Sequence, residues 1–324
     1  MTALPTAQAA GYLVTAHAET TGSRLSDTAM LVAVAAAIGV VYWIGVRRLR
    51  PRSGGAIGGS WWWRRWCFVA GLVVVVVALL PVVDPWVDHS FPLHMTQHLV
   101  LMFVAAPLLA LGAPGLPLQM VLSRRWRRRM AAVRGAPVVR HGRTLVTLPA
   151  LMLAVSTALL CVWHLPDLYS AALGSDTVHE LEHFSFLVAG GLLWFPLTTP
   201  GRALDGGRAV LYVFVSGFPT AALGAILTLA PHPIYPAQTG TGPGALTAQQ
   251  LAGVLMWIPS TFFAVLLCAG LMLLWFRGME RTAPGTSPLP SPEPPELPAP
   301  VPRVRRARRM AVATTTTGTG EVPR

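Results

Sequence analysis

The sequence predicts an all-α, polytopic membrane helix bundle of about seven transmembrane helices, with its N-terminus out and its C-terminus in. Three observations carry this. The 324-residue chain is 53% hydrophobic and 12% charged, with a mean hydropathy of +0.54, whereas soluble domains carry about 25% charged residues. Seven apolar segments have the length needed to span a bilayer as a helix. Arginine alternates from loop to loop, abundant on one side and missing from the other.

The segments are residues 28–46, 66–83, 93–112, 144–163, 180–197, 208–230 and 250–276. The third stays apolar to about residue 122, but Pro107, Pro114 and Pro117 interrupt it, so 113–122 is expected to bend away or lie at the interface. Pro219 and Pro259 should kink the sixth and seventh spans. The 47–65 loop holds six arginines and the 113–143 loop eight; Arg202 and Arg208 flank the next inner loop, and the C-terminal tail holds eight more. The alternate loops 84–92, 164–179 and 231–249 have none, and the N-terminal tail has Arg24 alone. By the positive-inside rule this fixes the expected orientation. The net charge of +12 therefore reads as topology, and no nucleic-acid partner is expected.

Three parts follow: an extracytoplasmic N-terminal segment (1–27), the membrane domain (28–276), and a disordered cytoplasmic tail (277–324) that turns rich in Pro, Arg and Thr. The N-terminus lacks a basic stretch followed by a continuous apolar core, so no signal peptide is expected. Cys67, Cys161 and Cys268 show no CxxC spacing and suggest no disulfide framework. GGAIGGS (54–60) lacks the lysine of a phosphate loop and reads as linker.

The histidines are distributed unevenly. In this orientation eight of the nine face outward, and only His141 lies inside. HMTQH (94–98) opens the third span, His164 closes the fourth, and HELEH (179–183) opens the fifth. Four-residue spacing puts both imidazoles of a pair on one helix face, about 6 Å apart along the axis. His94, His98, His164, His179 and His183 thus occupy one shallow layer, and ionisable groups at membrane depth point to function. Imidazole suits copper, zinc and haem iron, and sulfur neighbours shift the preference toward Cu(I). Met102, one turn below His98, Met256 in the seventh span, and Cys161 beside His164 are candidate additional ligands. Glu182 and Asp167 are candidates to orient the imidazoles.

HELEH also matches HExxH, the zinc-hydrolase signature, with Glu180 as the base and Asp205 as a downstream third ligand. Together these resemble the motif pair of intramembrane site-two metalloproteases. Asp205, however, follows the inner end of a span whose outer end holds HELEH, about 20 Å away along the helix. Bis-histidine haem ligation in a membrane electron carrier is a further alternative, needing two histidines from different helices and a slot for the porphyrin.

Three stretches together resemble the multi-span CtaG-like cytochrome c oxidase assembly factors of bacteria. They are DPWVDHSFPLHMTQHLVLMFVAAPLLALGAP (84–114), WHLPDLYSAALGSDTVHELEHFSFLVAGGLLWFPL (163–197) and QQLAGVLMWIPS (249–260). The matching positions are His94, Gln97, His98, His164, His179, Glu182, His183, Gln250 and Met256. One departure is Ala248, where the family pattern has an aspartate before the paired glutamines. The resemblance implies a multi-pass protein of the bacterial plasma membrane, without enzymatic activity, that helps assemble a haem–copper oxidase by delivering or placing copper. Its expected partners are oxidase subunits and the lipid bilayer.

Overall fold

The computed structural model describes residues 7–49, 60–81, 90–146, 148–199 and 204–282. Every regular element among the described residues is helical: α1 (Ala7–Leu49), α2 (Ser60–Ala78), α3 (Phe91–Leu111), α4 (Gly115–Val121), α5 (Arg124–Gly135), α6 (Pro137–Val146), α7 (Pro149–Trp163), α8 (Pro166–Leu173), α9 (Asp176–Thr198), α10 (Gly206–Leu229), α11 (Pro236–Thr239) and α12 (Ala245–Thr282). The chain divides into two compact units, Met1–Glu280 and Arg281–Arg324. The Pro/Arg/Thr-rich stretch from residue 283 onward lies outside the described residues, as do residues 54–59 of the glycine-rich linker.

Among the described residues six helices are long and apolar enough to cross a bilayer, and a seventh span exists if α7 and α8 count as one bent segment. The bend has a local cause. With 15 residues, α7 is only about 22 Å long. Its cap, His164, sits at φ −88°, ψ 6°. Leu165 is then extended at φ −72°, ψ 131°, as the residue before a proline must be, and α8 leaves at 69°. The stretch 164–173, expected as open loop, is thus mostly a helix lying across the mouth of the bundle.

Two other boundaries differ from expectation. The second helix begins at Ser60 and ends at Ala78, so the Trp/Arg run 61–65, expected in the loop, forms its first turns. Interfacial tryptophans and arginines serve as helix anchors as readily as loop residues. α1 reaches back to Ala7, although only Leu25–Leu49 of it meets the criteria for a span. The basic 113–143 loop also folds, with α4 as the expected bent extension and α5 and α6 as two further helices.

α3 contains one π-helical segment, Leu101–Ala105, in which Ala106 N–H donates to Leu101 O. Pro107 accounts for it. A proline has no N–H and its ring presses on the carbonyl four residues back, and a widened turn relieves both faults. Pro219 and Pro259 sit inside α10 and α12, which run through them without a break.

In lipid, helix association rests on close packing and on side chains that bond to neighbouring backbones. α9 is central to both. Its Gly190 lies against α3 so tightly that a Cβ there would stand 2.6 Å from Ala106 Cβ and 3.0 Å from Met102 O. Trp194 Nε1 donates to Met102 O at 2.9 Å, Ser156 Oγ of α7 donates to Ala189 O at 2.9 Å, and Tyr212 Oη of α10 donates to Leu193 O at 3.0 Å. α10 and α12 meet through Gly224 and Gly253, where an added Cβ on either would lie within 3 Å of the other's carbonyl oxygen. Large apolar side chains such as Phe184, Phe214, Phe218 and Phe262 point outward, as a lipid-facing surface requires.

Neighbouring glycines give a test. Gly190→Ala should lower the melting temperature in detergent, because α3 and α9 must part. Gly191, with nothing within 4 Å of its added Cβ, should accept alanine with a gain of up to about 1 kcal/mol from helix propensity. Equal responses of the two variants would remove the close approach from this account.

Candidate metal centre

The site forms where the first turns of α3 and α9 face one another. Ser90 precedes α3 with extended dihedrals and Pro92 occupies its first turn, a position where the missing N–H costs nothing. Helical spacing then turns His94 and His98 inward together, with ring centroids 4.4 Å apart. On α9, residues 179, 182 and 183 share one face, while Leu181 and Phe184 face outward. The Gly190 contact holds the two faces close together.

The rings of His94 and His179 stack at 5.2 Å with 16° between planes, and those of His98 and His183 lie 5.3 Å apart. His98 Nε2 is 3.8 Å from Glu182 Oε1. One donor atom from each of His94, His98, His179 and Glu182 fits within a set whose members are all within 4.8 Å of one another. A tetrahedral ion with bonds near 2.0–2.1 Å needs donors about 3.3 Å apart, so small side-chain rotations would close the set around a metal.

The surroundings make such an ion a good fit. His94 is fully buried, Glu182 is 1% exposed and His98 4%. Neither ring nitrogen of His94 or of His98 has a hydrogen-bond partner, nor has His183 Nε2 or Glu182 Oε2. Each buried polar atom left unpaired costs about 1–3 kcal/mol, and buried charges are normally paired or metal-bound.

His164 joins the layer from α7. Its Nδ1 lies 2.7 Å from Leu160 O. A carbonyl can only accept, so Nδ1 carries the proton and the buried Nε2 keeps its lone pair. Phe186 packs against both His98 (4.4 Å) and His164 (6.2 Å).

Aromatic side chains cover His94. Tyr169 of α8 lies 5.5 Å from its ring, and Tyr169, Phe91 and Tyr235 pack on one another with centroids 4.6 to 5.8 Å apart. Tyr169 Oη donates to Gln238 Oε1, and Tyr235 Oη donates to His164 O at 2.6 Å. Gln249 braces this cover. Its Oε1 accepts from Ile234 N at 2.5 Å, and its Nε2 donates to Leu227 O at 3.3 Å and His232 O at 3.4 Å. Gln97, also matched by the resemblance, donates to Ala78 O at 2.7 Å and ties α3 to the end of α2.

The sequence-derived candidates thus separate into groups. His94, His98, His179, Glu182 and His183 come together, with His164 beside them. Glu182 offers a carboxylate oxygen to the same set as the imidazoles. Met102 and Met256 are buried in the apolar cluster around Phe186. Cys161 is exposed although it precedes His164 by three residues. Asp167 is exposed in the first turn of α8, where its charge favours the helix N-terminus. Gln250 is half-buried, and the buried amide is that of Gln249, which shares a face with Ala252 and Met256. Tyr169, Tyr235 and Gln249 were not anticipated; for Gln249 the 249/252/256 spacing was the available signal.

The two alternative chemistries find less support. Glu180, the base of a hydrolase reading, is exposed. Asp205 lies beyond the far end of α9, exposed and bonded to Arg208 at 2.5 Å, a contact that lowers its pKa. The imidazoles pack directly on one another, with ring centroids 4.3 to 6.5 Å apart.

Outside the spans, burial and then the nearby Glu182 push the Tyr235 hydroxyl from its ordinary 10.0 up to about 12. A raised folded-state value means a contribution fully present below about pH 10 and lost as pH climbs toward 12. Alkaline melting curves should therefore fall off over this range more steeply for wild type than for Tyr235→Phe. Parallel curves would disprove the buried hydroxyl.

A family model described as cytochrome c oxidase caa3 assembly factor (Caa3_CtaG) matches residues 40–278. No curated protein and no solved structure matches the chain.

Proposed function

From the premise that the chain belongs to the cytochrome c oxidase caa3 assembly factor family, we propose that it holds a copper ion on His94, His98, His179 and Glu182 and passes it to an oxidase subunit during assembly. One observation supports this above the rest. Four donor atoms on two helices, three of them on buried residues and the fourth on half-buried His179, lie within 4.8 Å of one another.

Charge favours the monovalent ion. As ligands, imidazoles are neutral and the carboxylate anionic. Three imidazoles and one carboxylate thus neutralise Cu(I), whereas a divalent ion leaves a positive charge in a low-dielectric layer. Imidazole is a suitable copper ligand even though the set contains no sulfur. Release requires replaceable ligands. His183 lies beside the set, and His164 offers a lone pair already oriented by its bond to Leu160; both are available for stepwise exchange. The arginine asymmetry supports a mouth facing away from the cytoplasm of a bacterial plasma membrane. No bond is made or broken in the cargo, and the role is that of a metal-handling chaperone.

Purified wild-type protein should bind about one Cu(I) per chain. His98→Ala and Glu182→Gln should each weaken binding at least tenfold, while Glu180→Gln should leave it unchanged. Zinc in place of copper, with sensitivity at Glu180, would return the site to a hydrolase. In cells, His94→Ala should deplete copper from the oxidase while this protein's own abundance stays constant. Loss of the protein itself would reduce the histidine to a folding role.

A further inference from the structure

The opposite end of the bundle holds a second unassigned cluster, where the last turn of α1 meets the first turns of α2. Tyr42 stacks on Phe68 at 3.9 Å and donates to Gly112 O at 2.8 Å, and Gly45 packs directly on the backbone of Pro117. These contacts fix the next residue, Trp43. Two guanidinium groups lie over its ring, Arg65 from α2 at 5.1 Å and Arg47 from α1 at 6.0 Å.

The neighbouring arginines are differently engaged. Arg48 donates to Met120 O and Val121 O at 3.3 and 3.1 Å, and Arg64 donates to Leu111 O at 2.9 Å. They satisfy carbonyls at helix C-termini, where cations are favoured. Arg47 and Arg65 have no such acceptor among the described residues, and Arg65 Nε is shielded from solvent with no hydrogen-bond partner. A ring face attracts a cation but does not accept its several N–H bonds. Two guanidiniums gathered at one tryptophan ring, with no acidic partner among the described residues, call for an anion with several oxygens.

We propose that Arg47, Trp43 and Arg65 form a binding site for the phosphate of an anionic phospholipid. Guanidinium geometry matches phosphate oxygens in paired hydrogen bonds. The site lies at the ends of the spans Leu25–Leu49 and Trp61–Ala78, the level of lipid headgroups. Trp62 and Trp66 are 58% and 50% exposed, as in an interfacial aromatic belt. Apolar Ile44 and Val73 are exposed on the same two helices and supply surface for acyl chains, which free phosphate would not use. The lipid joins α1 to α2 by its headgroup and is independent of the histidine layer.

Native mass spectrometry of the detergent-purified protein tests this. Phosphatidylglycerol should be retained in preference to phosphatidylcholine, and inorganic phosphate should not displace it. R47Q/R65Q should retain phosphatidylglycerol roughly tenfold less. R124Q/R128Q, which removes the same charge from exposed α5, should retain it like wild type. R65K, keeping charge without the planar fork, should fall between. Equal loss in both double variants would show general attraction to basic surface and overturn the site, as would undiminished retention in R47Q/R65Q. Displacement by inorganic phosphate would assign the arginines to a free anion. Unchanged melting of R47Q/R65Q in phosphatidylcholine separates lost binding from lost fold.

Discussion

The close approach of α3 and α9 at Gly190 is the constraint on which the rest depends. Two helices that touch at Met102 and Ala106 must also bring their first turns together, about two to three turns away along each axis. The histidine layer is a consequence of that crossing. The bond from Trp194 to Met102 O fixes the same register from the other side of the glycine. Neither helix could hold the donor set alone, since each presents only one strip of it.

The bundle spends its polar side chains on carbonyls. Tyr42, Arg48, Arg64, Gln97, Ser156, Trp194 and Tyr212 each donate to the backbone of another helix or helix end. In a medium without water this satisfies groups that would otherwise cost several kcal/mol. Against that background two places stand apart: the histidine–glutamate layer, and the paired guanidiniums on Trp43. Both keep donors or acceptors unspent, and they lie at opposite ends of the membrane domain.

Much of this was legible in the chain because helix geometry is local. Four-residue spacing placed His94 with His98 and His179 with His183 without any knowledge of their neighbours, and the arginine-free loops marked the end of the bundle where they gather. What stayed hidden depends on tertiary placement. The aromatic cover comes from α8, whose 69° bend follows from dihedrals at two residues, and from a turn pinned by Gln249. The family match over residues 40–278 agrees with the order of motifs, although motif order alone carries no distances.

The aromatic cover has a kinetic meaning. Tyr169 lies against His94, and Tyr235 and Phe91 pack on Tyr169 from two further elements, so fully buried His94 offers no open face there to an ion wearing its full shell of water. An ion bound beneath them would exchange on the timescale on which α8 and the 230–235 turn move, not on that of diffusion. Retention would then be set by a mechanical barrier as well as by affinity, and small chelators would compete poorly with a protein surface able to displace the cover.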